Sequence, residues 1–321
     1  MKIKLLFFIS ITFLAVSCNS KKTIKINDKI LLESIKILSH DSLEGRGFSK
    51  KGNYKAQKFI ASQFEKIGLE KMSEEGFIQK FPYTFSGKKR LRMFPIKGIE
   101  RTDTITPIPD TTAIGGNVIG KITGKTEKSI VITGHLDHLG IRKGLIYNGA
   151  DDDASGTAAL FAIADYFKMK PTKHTLIFAA VDAEEIGSLG ASYWLQKYEQ
   201  KNNIVLNINM DMIAHNDSLQ LYASGLFHYP QLKKPLENID SPITLLFGHD
   251  NPDDKTKDDW TNSSDHRVFH KEGIPFIYFG VEDHKDYHKA TDTFENINQE
   301  FYIKAVELII KSIENYDTYL E

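Results

Sequence analysis

The chain has 321 residues, 41% hydrophobic and 26% charged, which is ordinary globular composition with ample apolar material for one large core or two smaller ones. Its formal net charge is -1 and no basic block interrupts it, which weighs against nucleic acid as a partner. A single cysteine, Cys18, excludes a disulfide within the chain.

The N-terminus reads as a processing segment. Lys2 and Lys4 precede the apolar run LLFFISITFLAV, which is too short to span a bilayer comfortably but suits a secretory signal over residues 1–17. LAVSC resembles a bacterial lipoprotein box, in which the cysteine is lipidated and becomes the first mature residue. The departure is Ala15 three positions before Cys18, where leucine is usual; Leu14 sits one residue early. The alternative is ordinary cleavage beside an incidental cysteine. Both readings put the protein outside the cytoplasm, and the first makes it a lipid-anchored protein of the bacterial cell envelope. Residues 18–28 then form a polar, Lys-rich tether, and residues 29–321 form one folded domain.

From Lys29 to Leu38, Ile30, Leu31, Ile35 and Leu38 recur at helical spacing. HDSLEGRGFSKKGN reads as a turn-rich loop, and YKAQKFIASQFEKIGLE as an amphipathic helix ended by Gly68. Strands are expected at 76–84 and 91–98, and TPIPDTTAIGG is expected to be a loop. There is no internal repeat. From Asn117 onward short apolar runs (SIVITG, TLIFAAV, IVLNINM, LQLYA, ITLLF, IPFIYFG) alternate with helical stretches such as ASGTAALFAIADYF and SLGASYWLQKYEQ. Near-continuous apolar strands between helices predict a sheet covered on both faces, an α/β/α sandwich. A long amphipathic helix, with Phe301, Ala305, Ile309 and Ile313 on one stripe, closes the chain.

The polar chemistry follows the ends of these runs. His135 ends SIVITG; Asp182, Glu184 and Glu185 follow TLIFAAV; Asp211 follows IVLNINM; His288 lies beyond IPFIYFG. In open α/β sheets that edge is where ligands bind, so His135, Asp152, Glu184, Glu185, Asp211 and His288 are expected to face one cleft. Four carboxylates among six groups repel one another unless cations compensate them, and a mixed His and carboxylate set suits divalent metals. Asp137, two residues after His135, is expected to accept a hydrogen bond from the other imidazole nitrogen. Each residue alone has a plainer reading, since carboxylates also cap helix N-termini and exposed Asp and Glu are commonplace. Asp151 and Asp153 are read as solvated or capping, and Asp292 as orienting His288. Asp265 and His266 either line the cleft or sit at a helix start, while Tyr147, Phe279 and Tyr287 shape the pocket or belong to the core.

GHLDHLG, NGADDDASG, DAEEIGSLGA, INMDMI, SSDH and DYHKATDTFENI, in that order, resemble the zinc-dependent exopeptidases of the M28 type, the leucyl-aminopeptidase and glutamate-carboxypeptidase group. The resemblance spans roughly residues 29–315 and includes LSHDSLEGRGFSKKGNYKAQKFIASQF, similar to the family's N-terminal helix region. It implies a three-layer sandwich with a mixed, mostly parallel sheet, and a single catalytic domain. It implies two zinc ions, one held by His135 and Asp211, the other by Glu185 and His288, with Asp152 bridging. Glu184 would be the general base, and Asp137 would join it as a catalytic residue by holding the His135 imidazole. The interval from about 70 to 115 is too short for the protease-associated domain that some members insert, so shorter loops must set specificity. The activity implied is removal of N-terminal residues from peptides with a free amine. A glutaminyl cyclase on the same fold, or a non-catalytic lipoprotein module, are the alternatives.

Overall fold

The computed structural model describes residues 25–73, 75–86 and 110–321. The signal segment, Cys18, most of the tether and the strand expected at 91–98 lie outside the described residues. Helix α1, Asp28–Leu38, starts where the Asn27 side chain accepts the Ile30 N–H, and it buries Leu31, Ile35 and Leu38. Helix α2, Lys51–Ile67, ends at Gly68, whose φ of 90° supplies the left-handed cap.

Among the described residues the main sheet has nine strands. Strand β1 is Glu70–Lys71, β2 Ile78–Phe85, β3 Thr111–Ile122 and β4 Ser129–His135. After a small separate hairpin, β5 Gly140–Arg142 and β6 Leu145–Tyr147, come β7 Thr175–Val181, β8 Ile204–Met210, β9 Gln220–Ser224, β10 Thr244–Phe247 and β11 Phe276–Gly280. The order is β1-β3-β7-β4-β8-β11-β9-β10, with β2 also paired to β3. β7, β4, β8 and β11 run parallel, whereas β3 against β7 and β9 against β11 are antiparallel. This is the mixed, mostly parallel sheet that was expected.

One expected loop is a strand. Thr111–Gly116 belongs to β3 and pairs with β2, Phe81 opposite Gly115 and Lys80 opposite Gly116. The glycines argued for a turn, but here one is covered by a neighbour: a Cβ on Gly115 would lie 2.4 Å from the Phe81 ring. Cross-strand packing overrides the local propensity.

Period-2 alternation sends the strand side chains into two cores. Ile130, Ile132, Leu176, Phe178 and Ala180 face a large core under α1, α2, α3 (Gly156–Phe167) and the closing helix α6 (Gln299–Tyr319). Val131, Ile177, Ala179 and Val181 face a smaller one under α4 (Leu189–Lys197) and α5 (His266–Lys271), with Trp194 and Phe269. Among the described residues no helix is long and apolar enough to cross a membrane.

Two features bring the loops together. Gly134 of β4 and Gly156 at the start of α3 touch backbone to backbone; a Cβ on Gly134 would lie 2.8 Å from the Gly156 carbonyl carbon. Arg46, in the expected loop, is fully buried. Its guanidinium donates to the carbonyls of Leu136 (2.8 Å), Leu38 (2.6 Å), Asn148 (2.6 Å) and Gly149 (2.9 Å). It thus ties the end of α1, the end of β4 and the loop before Asp152. Arg46→Met leaves these buried acceptors unsatisfied and is expected to lower unfolding stability by about 3 kcal/mol or more. Arg46→Lys should not rescue it, since one ammonium cannot span the fork. Urea denaturation checks this; a loss under about 1 kcal/mol for the methionine variant would refute the bracing role.

Candidate metal centre and cleft

The chain moves from β4 to β7 on one side of it and to β8 on the other, so the crevice opens at the C-terminal ends of these strands. His135 is the last residue of β4, Glu184 and Glu185 follow β7, and Asp211 follows β8. The loop after β11 carries His288, and the irregular turn Ala150–Ser155, with a cis peptide between Asp152 and Asp153, carries Asp152. All six expected residues line one cavity of about 470 Å3, together with Met212, Trp260, Tyr278, Val281 and Tyr287. Ala183, Met212 and His288 adopt φ of 63°, 60° and 54°, so left-handed backbone sits beside or at three of these side chains.

Asp152 divides the site. Its Oδ1 lies 3.1 Å from His135 Nε2, which is also 3.5 Å from Asp211 Oδ1. Its Oδ2 lies 3.1 Å from His288 Nε2, which is 3.9 Å from Glu185 Oε1. Donors of a tetrahedral zinc ion stand roughly 3.3 Å apart, given bonds near 2.0–2.1 Å. Among the described residues Asp211 Oδ1 is buried without a hydrogen-bond partner, so this oxygen is free for a cation.

A residue absent from the sequence expectations joins the second group. His138 is buried, with Nδ1 2.8 Å from Glu185 Oε1 and 3.6 Å from Asp152 Oδ2. His138, Asp152 and Glu185 offer ligand atoms within 4.8 Å of one another. The signal was the second histidine of GHLDHLG, one residue past Asp137. Burial disfavours charge on both His135 and His138, yet the facing carboxylates override it. Asp211, Asp137 and Asp152 hold His135 well above the usual imidazole range, and Asp152 with Glu185 raises His138 to about 9. A field that holds protons there also attracts metal cations.

Three neighbouring carboxylates, Asp153, Asp151 and Asp292, are engaged by the backbone. Asp153 takes the His135 N–H on Oδ2 (2.8 Å) and the Gly156 N–H on Oδ1 (2.7 Å). Its oxygens are within ligand range of His135 and Asp211, but both are committed to backbone. Asp151 accepts the Ala214 N–H at 2.6 Å and meets His284 Nε2 at 3.0 Å. Both are fully buried, which corrects the solvated reading while keeping Asp153 as a cap. Asp292 receives the N–H groups of Asp151 (2.9 Å) and Asp152 (3.1 Å), so it orients Asp152 rather than His288.

Asp137 differs in detail from expectation. His135 Nδ1 is 3.0 Å from the Asp137 carbonyl and 3.7 Å from its carboxylate, whose Oδ1 accepts the Glu184 N–H at 3.0 Å. Asp182 anchors the loop, taking N–H groups from Asn53 (2.8 Å), Gly116 (2.9 Å) and Ala183 (2.8 Å). Burial pushes Glu184 well above the usual carboxyl range; His135 opposes the shift, while Asp265, Asp211 and Glu185 add to it. Asp265 and His266 are buried behind the cleft wall rather than lining it; Asp265 does not cap α5 with its side chain. Phe279 is core, Tyr147 lies in the β5–β6 hairpin, and only Tyr287 of the three aromatics reaches the cleft.

Comparison with known proteins agrees with this geometry. The alkaline phosphatase isozyme conversion protein of Escherichia coli (strain K12) is 34% identical over 119 residues, covering 33% of this chain and 34% of that protein. Aminopeptidase YwaD of Bacillus subtilis (strain 168) is 25% identical over 248 residues, covering 68% of this chain and 50% of that one. The chain therefore spans a third to a half of the length of these relatives. Among solved structures, a zinc aminopeptidase from Bacillus subtilis shares the fold, with a TM-score of 0.67 at 17% identity over 93% of this chain and 96% of that one. A glutaminyl cyclase from Fimbriiglobus ruber does so as well, at 0.65 and 15%, over 92% and 97%. The description Peptidase family M28 matches residues 117–313, which is more than half of the 321 residues, and the chain belongs to that family.

Proposed function

We propose that this protein is a metal-dependent aminopeptidase that removes N-terminal residues from peptides. The observation that carries the reading is the division of Asp152, one oxygen toward His135 and Asp211, the other toward His288, Glu185 and His138. That arrangement fits a pair of zinc ions sharing one carboxylate. His135 and Asp211 would hold one ion, Glu185 and His288 the other, and His138 would keep Glu185 in place. Bound there, the ions supply Lewis-acid polarisation of the scissile carbonyl and lower the pKa of the attacking water.

The chain's own residues account for the proton. Glu184 sits in the same cleft, its backbone fixed through Asp137 and its carboxyl held by burial well above the usual carboxylate range. It takes the proton from the attacking water and delivers it to the leaving amine. A fold likeness at 15% identity does not favour cyclase chemistry, since the same fold hosts both reactions.

Glu184→Gln keeps shape but cannot take a proton. It is expected to retain both metals and bind substrate while turnover falls at least about a hundredfold. Glu185→Ala should instead lower metal content. Metal analysis beside turnover checks both; an active Glu184→Gln together with a fully loaded Glu185→Ala would refute the assignment. Activity is expected to require a free substrate amine, so N-acetylated peptides should be poor substrates in a matched panel. Efficient cleavage inside blocked peptides would make the protein an endopeptidase.

The cell-envelope location is part of the same proposal. If Cys18 carries lipid, wild-type protein should partition into detergent and Cys18→Ser should not. Firm anchoring needs more than one acyl chain. Equal partitioning would reduce LAVSC to a plain cleavage site.

A further inference from the structure

Beyond the metal ligands, the cleft carries a cation with no protein partner. Arg267, half-buried in the first turn of α5, lines the cleft wall, and its Nη2 lies 3.5 Å from where a Cβ on Gly187 would stand. Among the described residues its guanidinium makes no hydrogen bond or ion pair. A second cavity of about 180 Å3 shares Gly187 and Arg267 with the cleft and continues past them. It is lined further by Ser192, Gln196, Lys271 and Glu272. Lys271 stands four residues after Arg267, so both project from one helix face. Glu272 is engaged by Lys201 at 2.8 Å, which leaves Arg267 and Lys271 as the uncompensated charges of this recess. Asp258 and Asp283 line the same cleft without pairing with Arg267; burial and then Asp258 push the Asp283 carboxyl up, and His288 opposes them.

Arg267 and Lys271 thus put positive charge on the wall beside Gly187, facing a cleft whose other charged groups are carboxylates and histidines. Gly187 donates its N–H to the Glu184 carbonyl at 2.7 Å, so Arg267 flanks the group that protonates the leaving amine and stands on the leaving-group side. We propose that Arg267, assisted by Lys271, forms an anion subsite that binds a carboxylate of the departing residue, making short peptides with a carboxylate directly after the scissile bond the preferred substrates. This rests on the aminopeptidase reading above. An unpaired, partly desolvated guanidinium is suited to a planar carboxylate, and such charge-assisted bonds are strong.

The test compares kcat/KM for a dipeptide, its C-terminal amide, and the amide in which glutamate is the second residue. In wild-type protein the free acid should exceed the neutral amide by roughly tenfold to a hundredfold, the effect of losing a hydrogen-bonded charge. A preference for the glutamate amide over the neutral amide identifies a side-chain carboxylate as a second accepted source; its absence restricts the site to the α-carboxylate. Arg267→Met should bring the acid-to-amide ratio near one, mainly through KM, with Arg267→Lys retaining part of it. Equal kcat/KM for all three substrates in wild-type protein overturns the subsite while leaving the peptidase reading intact. So does an equal loss on all three in Arg267→Met. Hydrolysis of none of them overturns the peptidase reading and the subsite with it.

Discussion

The structure depends on concentrating buried carboxylates at one edge of a sheet without letting them repel each other apart. Asp137, Asp151, Asp152, Asp153, Asp182, Asp211 and Asp292 are all buried there. Isolated buried carboxylates are unstable as anions, so each needs hydrogen-bond donors or a cation. The chain divides them in that way. Asp137, Asp151, Asp153, Asp182 and Asp292 receive backbone N–H groups and stabilise loops. Asp152 and Asp211, with Glu185 on the rim, receive no such donors and face histidine nitrogens. What separates the carboxylates that face histidines from those that brace loops is the direction of their oxygens, since residue type and burial are alike.

That division explains how three successive aspartates acquire three roles. Asp151 holds the backbone after β8 and His284, Asp152 faces both histidine groups, and Asp153 caps α3 while fixing the His135 N–H. Asp292 holds the amides of the first two from a loop 140 residues away. The contact of Gly134 with Gly156 lets the turn lie directly over the end of β4, and Arg46 fastens the approach to it. Together they fix Asp152 between the two histidine groups.

Much of this was legible in the sequence, because two periodicities suffice for it. Alternating apolar strands and helices predicted the layers, and strand ends predicted that His135, Glu184, Glu185, Asp211 and His288 would converge. What was not legible depends on pairs far apart in the chain. Nothing in HDSLEGRGF says that Arg46 reaches Gly149, or in ATDT that Asp292 serves Asp151 and Asp152. His138 escaped because a histidine beside an already assigned His-x-Asp pattern adds no new period. Thr111–Gly116 escaped because glycine propensity was weighed without the covering Phe81.

The His-x-Asp spacing itself acquires a geometric reason. His135 ends a strand that then leaves the sheet, and the carbonyl two residues on can curl back to its Nδ1 at 3.0 Å, leaving Nε2 directed at Asp152 and Asp211. The same residue's carboxylate points across to the loop after β7, where it accepts the Glu184 N–H. One residue therefore aims the imidazole with its backbone and seats the carboxyl-bearing loop with its side chain. Asparagine there would keep the first contact, since the carbonyl is unchanged, but would exchange a charged acceptor for a neutral one in the second. His135 and Glu184 come from neighbouring strands, β4 and β7, and Asp137 is the bond that keeps their loops in register.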